Sequence, residues 1–174
     1  MINRIMGVLK LDANTFEEIE HDQTATMQAV IIVVIVALIA GLGSGFLAEN
    51  FISGFLFAAS SAIVGWLVWS AATYFVGTTL FAGKATMGEM LRVLGYAQAP
   101  QILSFIPCVG LITWIWSLAA GFIAVRQGLD LDNVKAFLTI VVGFILVLII
   151  NFVLGLIFGV AGMGIGALTG ALGG

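Results

Sequence analysis

The stretch Met27–Phe46, MQAVIIVVIVALIAGLGSGF, decides the fold. It holds twenty residues without a charge, which is the length a helix needs to cross a hydrocarbon core of about 30 Å. Its β-branched run Ile31–Val36 would suggest a strand in water. In lipid, every backbone polar group must be paired within the segment, so the same run reads as a helix. Around this segment the whole chain is apolar: 61% of its 174 residues are hydrophobic, with only six Lys+Arg and nine Asp+Glu. Soluble domains carry about 25% charged residues. A chain of this composition cannot clothe itself in water, which excludes a soluble enzyme and a disordered tail. The net charge of −3 leaves no basic surface for nucleic acid.

The charges mark out the remaining spans, because an ionised group at mid-membrane costs about 2.5 kcal/mol or more. Asn50–Gly83 is an uncharged interval of 34 residues, too short for two crossings and a turn, and reads as one helix over 55–81. The next region carries Glu89 and Arg92 early, then Pro100, Pro107 and Gly110. It reads as two short crossings, 88–106 and 110–125, the first broken by its prolines. A last span covers 136–160, and a Gly-rich apolar tail fills 161–174. With the N-terminus cytoplasmic, five spans place Arg4, Lys10, Lys84, Arg92, Arg126 and Lys135 on one side, as the positive-inside rule requires. A single crossing over 88–125 would move Arg126 and Lys135 outside. The expected architecture is therefore an all-α, polytopic bundle of five transmembrane helices with a short, broken third helix. Its first span runs 27–48, its C-terminus lies outside, and its home is a prokaryotic cell (inner) membrane.

Residues 1–26 form a short cytoplasmic or interfacial segment. Met1–Lys10 lacks the apolar core of a cleavable signal, so insertion is assigned to the first span. Thr15 with Glu18 is written as a capping box opening an acidic helix over 14–23. With Phe16 and Ile19 three apart, that helix is expected to lie on the bilayer surface. Asp132 or Asn133 is the expected N-cap of the last helix.

Glu89, Arg92 and Tyr96 fall at helical spacing on one face, with Gln98 and Gln101 following. Polar groups at membrane depth mark functional sites. This face is the candidate polar cleft or partner face, for a lipid head group, a small solute or a partner helix. Pro100 and Pro107 break the helix there. Gly41 with Gly45, and Gly155 with Gly159, have the spacing that lets helices approach closely or self-associate. One cysteine, Cys108, and one histidine, His21, supply no disulfide or metal set. No nucleophile–base pair stands out, so the chain reads as non-catalytic and without a cofactor. Its expected contacts are membrane lipids, protein partners through the N-terminal segment or the glycine faces, and a second copy of itself.

The run Gly95-Tyr96-Ala97-Gln98-Ala99-Pro100, with Ile106-Pro107, Gly110, Trp116 and Gly121, resembles the Yip family of Ypt/Rab-interacting membrane proteins. Thr24-Ala25-Thr26, followed by Ala29, resembles its prokaryotic branch. The resemblance covers roughly 27–160 and implies a five-span, non-catalytic integral membrane protein, a scaffold or adaptor for membrane organisation. In eukaryotic relatives it implies vesicle trafficking and contact with Rab-type GTPases. The eukaryotic Asp-Leu-Tyr-Gly-Pro motif is absent, since Leu11-Asp12-Ala13 has no Tyr-Gly-Pro after it. The competing reading is a small permease or lipid-handling protein that uses the polar face of the third helix.

Overall fold

The computed structural model describes the backbone of residues 1–106 and 109–172, and the side chains of 1–106 and 109–153. Every regular element among them is helical: α1 (Ile2–Leu9), α2 (Ala13–His21), α3 (Ala25–Leu47), α4 (Phe51–Phe81), α5 (Met87–Tyr96), a 3-10 helix (Ala99–Phe105), α6 (Gly110–Gly128) and α7 (Asn133–Leu172). Three segments are long and apolar enough to cross a membrane by length and composition: Ala25–Leu47, Phe51–Phe81 and Asn133–Val153. Pro107, Cys108 and the packing of Gly155 and Gly159 lie outside the described residues.

α3 and α4 form an antiparallel hairpin. Asn50 ends the turn between them, its Oδ1 accepting from the Ser53 amide at 3.1 Å. This cap starts α4 at Phe51, four residues before the sequence-based start. The helices close on glycine: a Cβ on Gly41 would sit 2.9 Å from the Phe55 ring, and one on Gly45 would sit 2.8 Å from the Phe51 ring. α7 also packs on α4, nearer its C-terminal end, where Gly143 faces Thr73 and Trp69.

The disputed region resolves into a helix, a break and a tighter helix. Pro100 offers no amide and its ring would clash with the preceding turn. The α-helix accordingly gives way at Ala97–Gln98, where the Gln98 amide bonds the Gly95 carbonyl in a three-residue step. Pro100 then occupies the first turn of the 3-10 helix. Gly95 packs on Ala29 near the start of α3. Ser104 and Phe105 share a cleft with Ile39–Leu47 at its other end. The α5–3-10 unit thus runs beside α3, in the same direction, along nearly its whole length. α6 returns, its terminal Gly128 pressed against Val93 of α5. α7 departs again, capped by Asp132, whose carboxylate accepts from the Val134 and Lys135 amides.

Two kinds of core result. Along the apolar bundle many buried positions are small, among them Ala29, Ala37, Gly41, Gly45, Ala120 and Ala124, with Ile32, Val33 and Val36 of α3 also turned inward. Most large side chains there point outward, including Ile31, Val34, Leu38 and Leu42 on α3, and Phe144, Leu148 and Phe152 on α7. That inversion suits lipid, where burying an apolar group yields little and close backbone approach supplies the packing. At the end carrying α1 and α2, here called the hairpin end, the core is built from large residues. Val8, Phe16, Ile19, Met90, Val93, Val125 and Leu129 are fully buried there.

Phe16 and Ile19 therefore face the protein and not the bilayer surface. The expected capping box also differs. Asp12 caps α2, accepting from the Asn14 amide, and Thr15 donates to Asp12. Glu18 is freed for an ion pair described below.

Gly95 gives a direct test of the close packing. A Cβ there would stand 2.9 Å from that of Ala29 and 3.4 Å from Nε1 of Trp66, which donates to the Leu91 carbonyl at 3.2 Å. Gly95→Val is expected to cost about 1–3 kcal/mol by overpacking. Gly65→Ala, with nothing within 4 Å, should be neutral or stabilising. Thermal unfolding in detergent checks the pair.

Candidate functional site

The polar residues of α5 meet those of the N-terminal segment at the hairpin end. α5 is started by a capping box: Thr86 Oγ1 accepts from the Glu89 amide at 3.3 Å, and Glu89 Oε2 accepts from the Thr86 amide at 2.6 Å. This fixes the register of the helix and aims the next turn. Arg92, only 7% exposed, points back across the interface to α2. Its Nε and Nη2 both donate to the main-chain carbonyl of Glu20, Nε at 3.2 Å, and Nη1 reaches Thr26 Oγ1 at 3.4 Å. Glu89 lies 3.9 Å away on the same face. The Glu20 carbonyl is among the last of α2, which ends at His21, so it has no partner within the helix. A guanidinium there satisfies it and complements the negative end of the helix dipole.

One turn on, Tyr96 is fully buried and donates to Gln28 Oε1 of α3 at 2.5 Å. Beside it, Arg4 of α1 bridges two acids, Glu18 at 2.8 Å and Asp22 at 2.5 Å. Asp22 also accepts from the Thr24 amide and hydroxyl at the entry to α3. The Thr24 bonds first, and Arg4 second, hold its carboxyl down at about 2. Gln127 of α6 completes the seat of α2 by donating to Glu17 at 3.2 Å. Gln98 and Gln101 lie beyond this cluster, half-buried on either side of the buried Pro100.

Glu20 is the anomalous member. It is 5% exposed, and its Oε2 has no hydrogen-bond partner among the described residues. Arg92 binds its carbonyl and not its carboxylate. Burial, reinforced by the negative charge of Asp130, pushes its carboxyl up to about 7, with Glu89 and Glu17 adding and His21 opposing. The group thus keeps its proton to far higher pH than an ordinary glutamate and titrates close to neutrality.

The structure brings Glu89, Arg92 and Tyr96 together as the sequence spacing indicates, and fills the space in front of them with α2 and the first turn of α3. Arg4, Glu20, Thr26, Gln28 and Gln127 went unread in the sequence as participants. The Glu18–Asp22 spacing of four, which presents both acids to one cation, was the available signal for Arg4. Among the described residues, no group of three or more His, Cys, Asp or Glu is placed to hold a metal ion. The arrangement is suited to holding a helical hairpin in place by matched charges and dipoles.

A family model described as the Yip1 domain matches residues 6–170. No curated protein and no solved structure matches the chain.

Two outcomes follow for the hairpin seat. Arg92→Ala leaves the end of α2 uncapped and should cost about 2 kcal/mol, the scale of a hydrogen bond to a charged group. Amide hydrogen exchange should then speed up across Ala13–His21 more than in α4. The second concerns pH. The folded chain keeps a proton on Glu20 that the unfolded chain, with its ordinary value of 4.5, has released. This contribution is fully present below about pH 4.5 and is lost as pH rises through about 7. Stability of the hairpin should fall over that window, and Glu20→Gln should flatten the fall. Exchange rates of α2 measured across the window decide it.

Proposed function

The chain belongs to the Yip1 domain family, whose model covers nearly all of it, and on that premise we propose that this integral membrane protein is a non-catalytic scaffold or adaptor. It organises the membrane around it through the N-terminal hairpin and its outward helix faces. One observation carries the reading: the polar face of α5 is engaged by the protein itself. Arg92 is committed to Glu20 and Thr26, Tyr96 to Gln28, and Glu89 to Thr86. Residues spent on seating a hairpin build a platform, and that supports a binding role over a transport role. A permease acting through the Glu89/Arg92/Tyr96 face is the competing reading and would require α2 to leave its seat.

We further propose five crossings, with the hairpin end in the cytoplasm and the C-terminus outside. Three are the long apolar helices. The α5–3-10 unit and α6 supply the other two. Support comes from the run of the α5–3-10 unit beside α3, from the packing of α6 on that unit, and from the 19 residues of α6, about 28 Å of helix. All six Lys and Arg then lie towards the cytoplasmic side. A prokaryotic inner membrane is the proposed home.

Transport and scaffolding separate in proteoliposomes. The adaptor reading expects no movement of lipid or solute that depends on Arg92, and a stoichiometric partner recovered from native membranes by the intact chain but not by Arg92→Ala. Transport abolished by Arg92→Ala overturns it. For topology, Cys108 is the only thiol. Its labelling by a membrane-impermeant maleimide on intact cells is expected; labelling only after permeabilisation overturns the five-span orientation.

A further inference from the structure

α1 has a wider apolar sector than the protein covers. Val8 enters the hairpin-end core completely, and Ile5 packs against that core. On the next strip of the same helix Ile2 is 76% exposed and Met6 49% exposed, with half-buried Leu9 completing the turn-by-turn series. Asn3 and Lys10, both exposed, occupy the following strip. The helix is therefore amphipathic twice over, with one apolar edge committed to the protein and a second left open beside a polar edge.

The position of α1 says what covers the open edge. Arg4 ties α1 to Asp22, and Asp22 bonds Thr24 immediately before α3 begins. Met1, Asn3 and Arg4 share a cleft with Thr24 and Gln28. α1 also touches the 3-10 helix, which lies within the bundle. It thus sits level with the first turn of α3, where a crossing helix enters the bilayer. At that level Met27, 68% exposed, begins the outward stripe that continues through Ile31 and Val34. The open edge of α1 is continuous in height with a lipid-facing surface.

We infer that α1 is an interfacial helix whose Ile2 and Met6 side chains are immersed at the boundary between head groups and acyl chains of the leaflet at the hairpin end. Asn3 and Lys10 stay in the head-group layer. Helices with this division of faces lie in the membrane plane and bury one side shallowly. The occupant is the lipid surface itself. The inference depends on the membrane placement of α3 and not on the scaffold role.

The test uses full-length chain in phosphatidylcholine vesicles, with Cys108→Ser as the background and an environment-sensitive fluorophore on a single new thiol. Met6→Cys and Ile2→Cys report the open edge, Asn3→Cys the polar edge and Met27→Cys the crossing helix. The expected result is blue-shifted emission at positions 2 and 6. Nitroxide-labelled lipid carrying its spin near the head group should quench them several-fold more than at position 3, and aqueous iodide should quench them less. Iodide quenching at 2 and 6 equal to that at 3 overturns the inference. So does shielding at 2 and 6 that disappears when protein is diluted in lipid, since a second copy is then the occupant. If Met27→Cys also escapes lipid quenching, the failure belongs to the membrane placement of α3; if only 2 and 6 escape, it belongs to α1.

Discussion

Arg92 makes its hydrogen bonds away from carboxylates, although that of Glu89 stands 3.9 Å off. Its guanidinium takes the unpaired carbonyl at the end of α2, 72 residues back along the chain, and so ties α5 to the N-terminal segment. Much else at this end leans on that choice. With α2 held there, Phe16 and Ile19 join one core with Met90 and Val93 of α5 and Val125 of α6. Arg4 is brought to Glu18 and Asp22, and Asp22 delivers the chain into α3 through Thr24. The same packing buries the Glu20 carboxyl, with its Oε2 left without a partner among the described residues. A seat built this way combines a strong anchor with a titratable weakness one side chain away. The strength depends on a helix dipole and a buried cation, which salt screens little. The weakness depends on a proton.

The two cores place this seat in context. In the apolar bundle the closest approaches run through alanine and glycine, and most of the large residues are given to the surroundings. At the hairpin end leucine, methionine, phenylalanine and valine are turned inward, as in a small soluble domain. The boundary between the regimes falls near Ala29, Gly95 and Trp66, where α3, α4 and α5 meet closely. One chain therefore folds by two rules: close backbone approach where lipid is the solvent, and removal of apolar surface from water where it is not.

What the sequence made legible follows the same division. A run such as Met27–Phe46 announces a helix because its length and lack of charge leave lipid no other solution. Pro100 announces a break because it has no amide to give. Arg92 and Tyr96 were visible as unusual, and their shared face followed from spacing alone. Their partners were not visible, since Glu20, Thr26 and Gln28 are joined to them by tertiary contacts across 66 to 72 residues. The misreading of α2 has a local cause. Phe16 and Ile19 at a spacing of three describe an apolar edge equally well for a bilayer or a protein core. Only the presence of α1 and α5 chooses between them. Likewise the Thr-x-x-Glu pattern occurs twice. It operates as a reciprocal cap at Thr86–Glu89, whereas Thr15–Glu18 loses its glutamate to a better partner, Arg4.

The unequal lengths of α3 and α4 have a mechanical consequence. The pairing of Gly41 with Phe55 and Gly45 with Phe51 sets their register, and on it the 31-residue α4 outruns the 23-residue α3 by roughly ten residues at the hairpin end. That overhang is about 15 Å of helix. Val76 and Gly77 lie on it, closed over by Leu129. The overhang is a post with protein packed against it. The post carries the link that follows α6: Leu129 packs on Gly77, and the Lys84 amide just beyond α4 donates to the Leu129 carbonyl. α4 and α6 are thereby fastened to each other at the same end as the seat of α2.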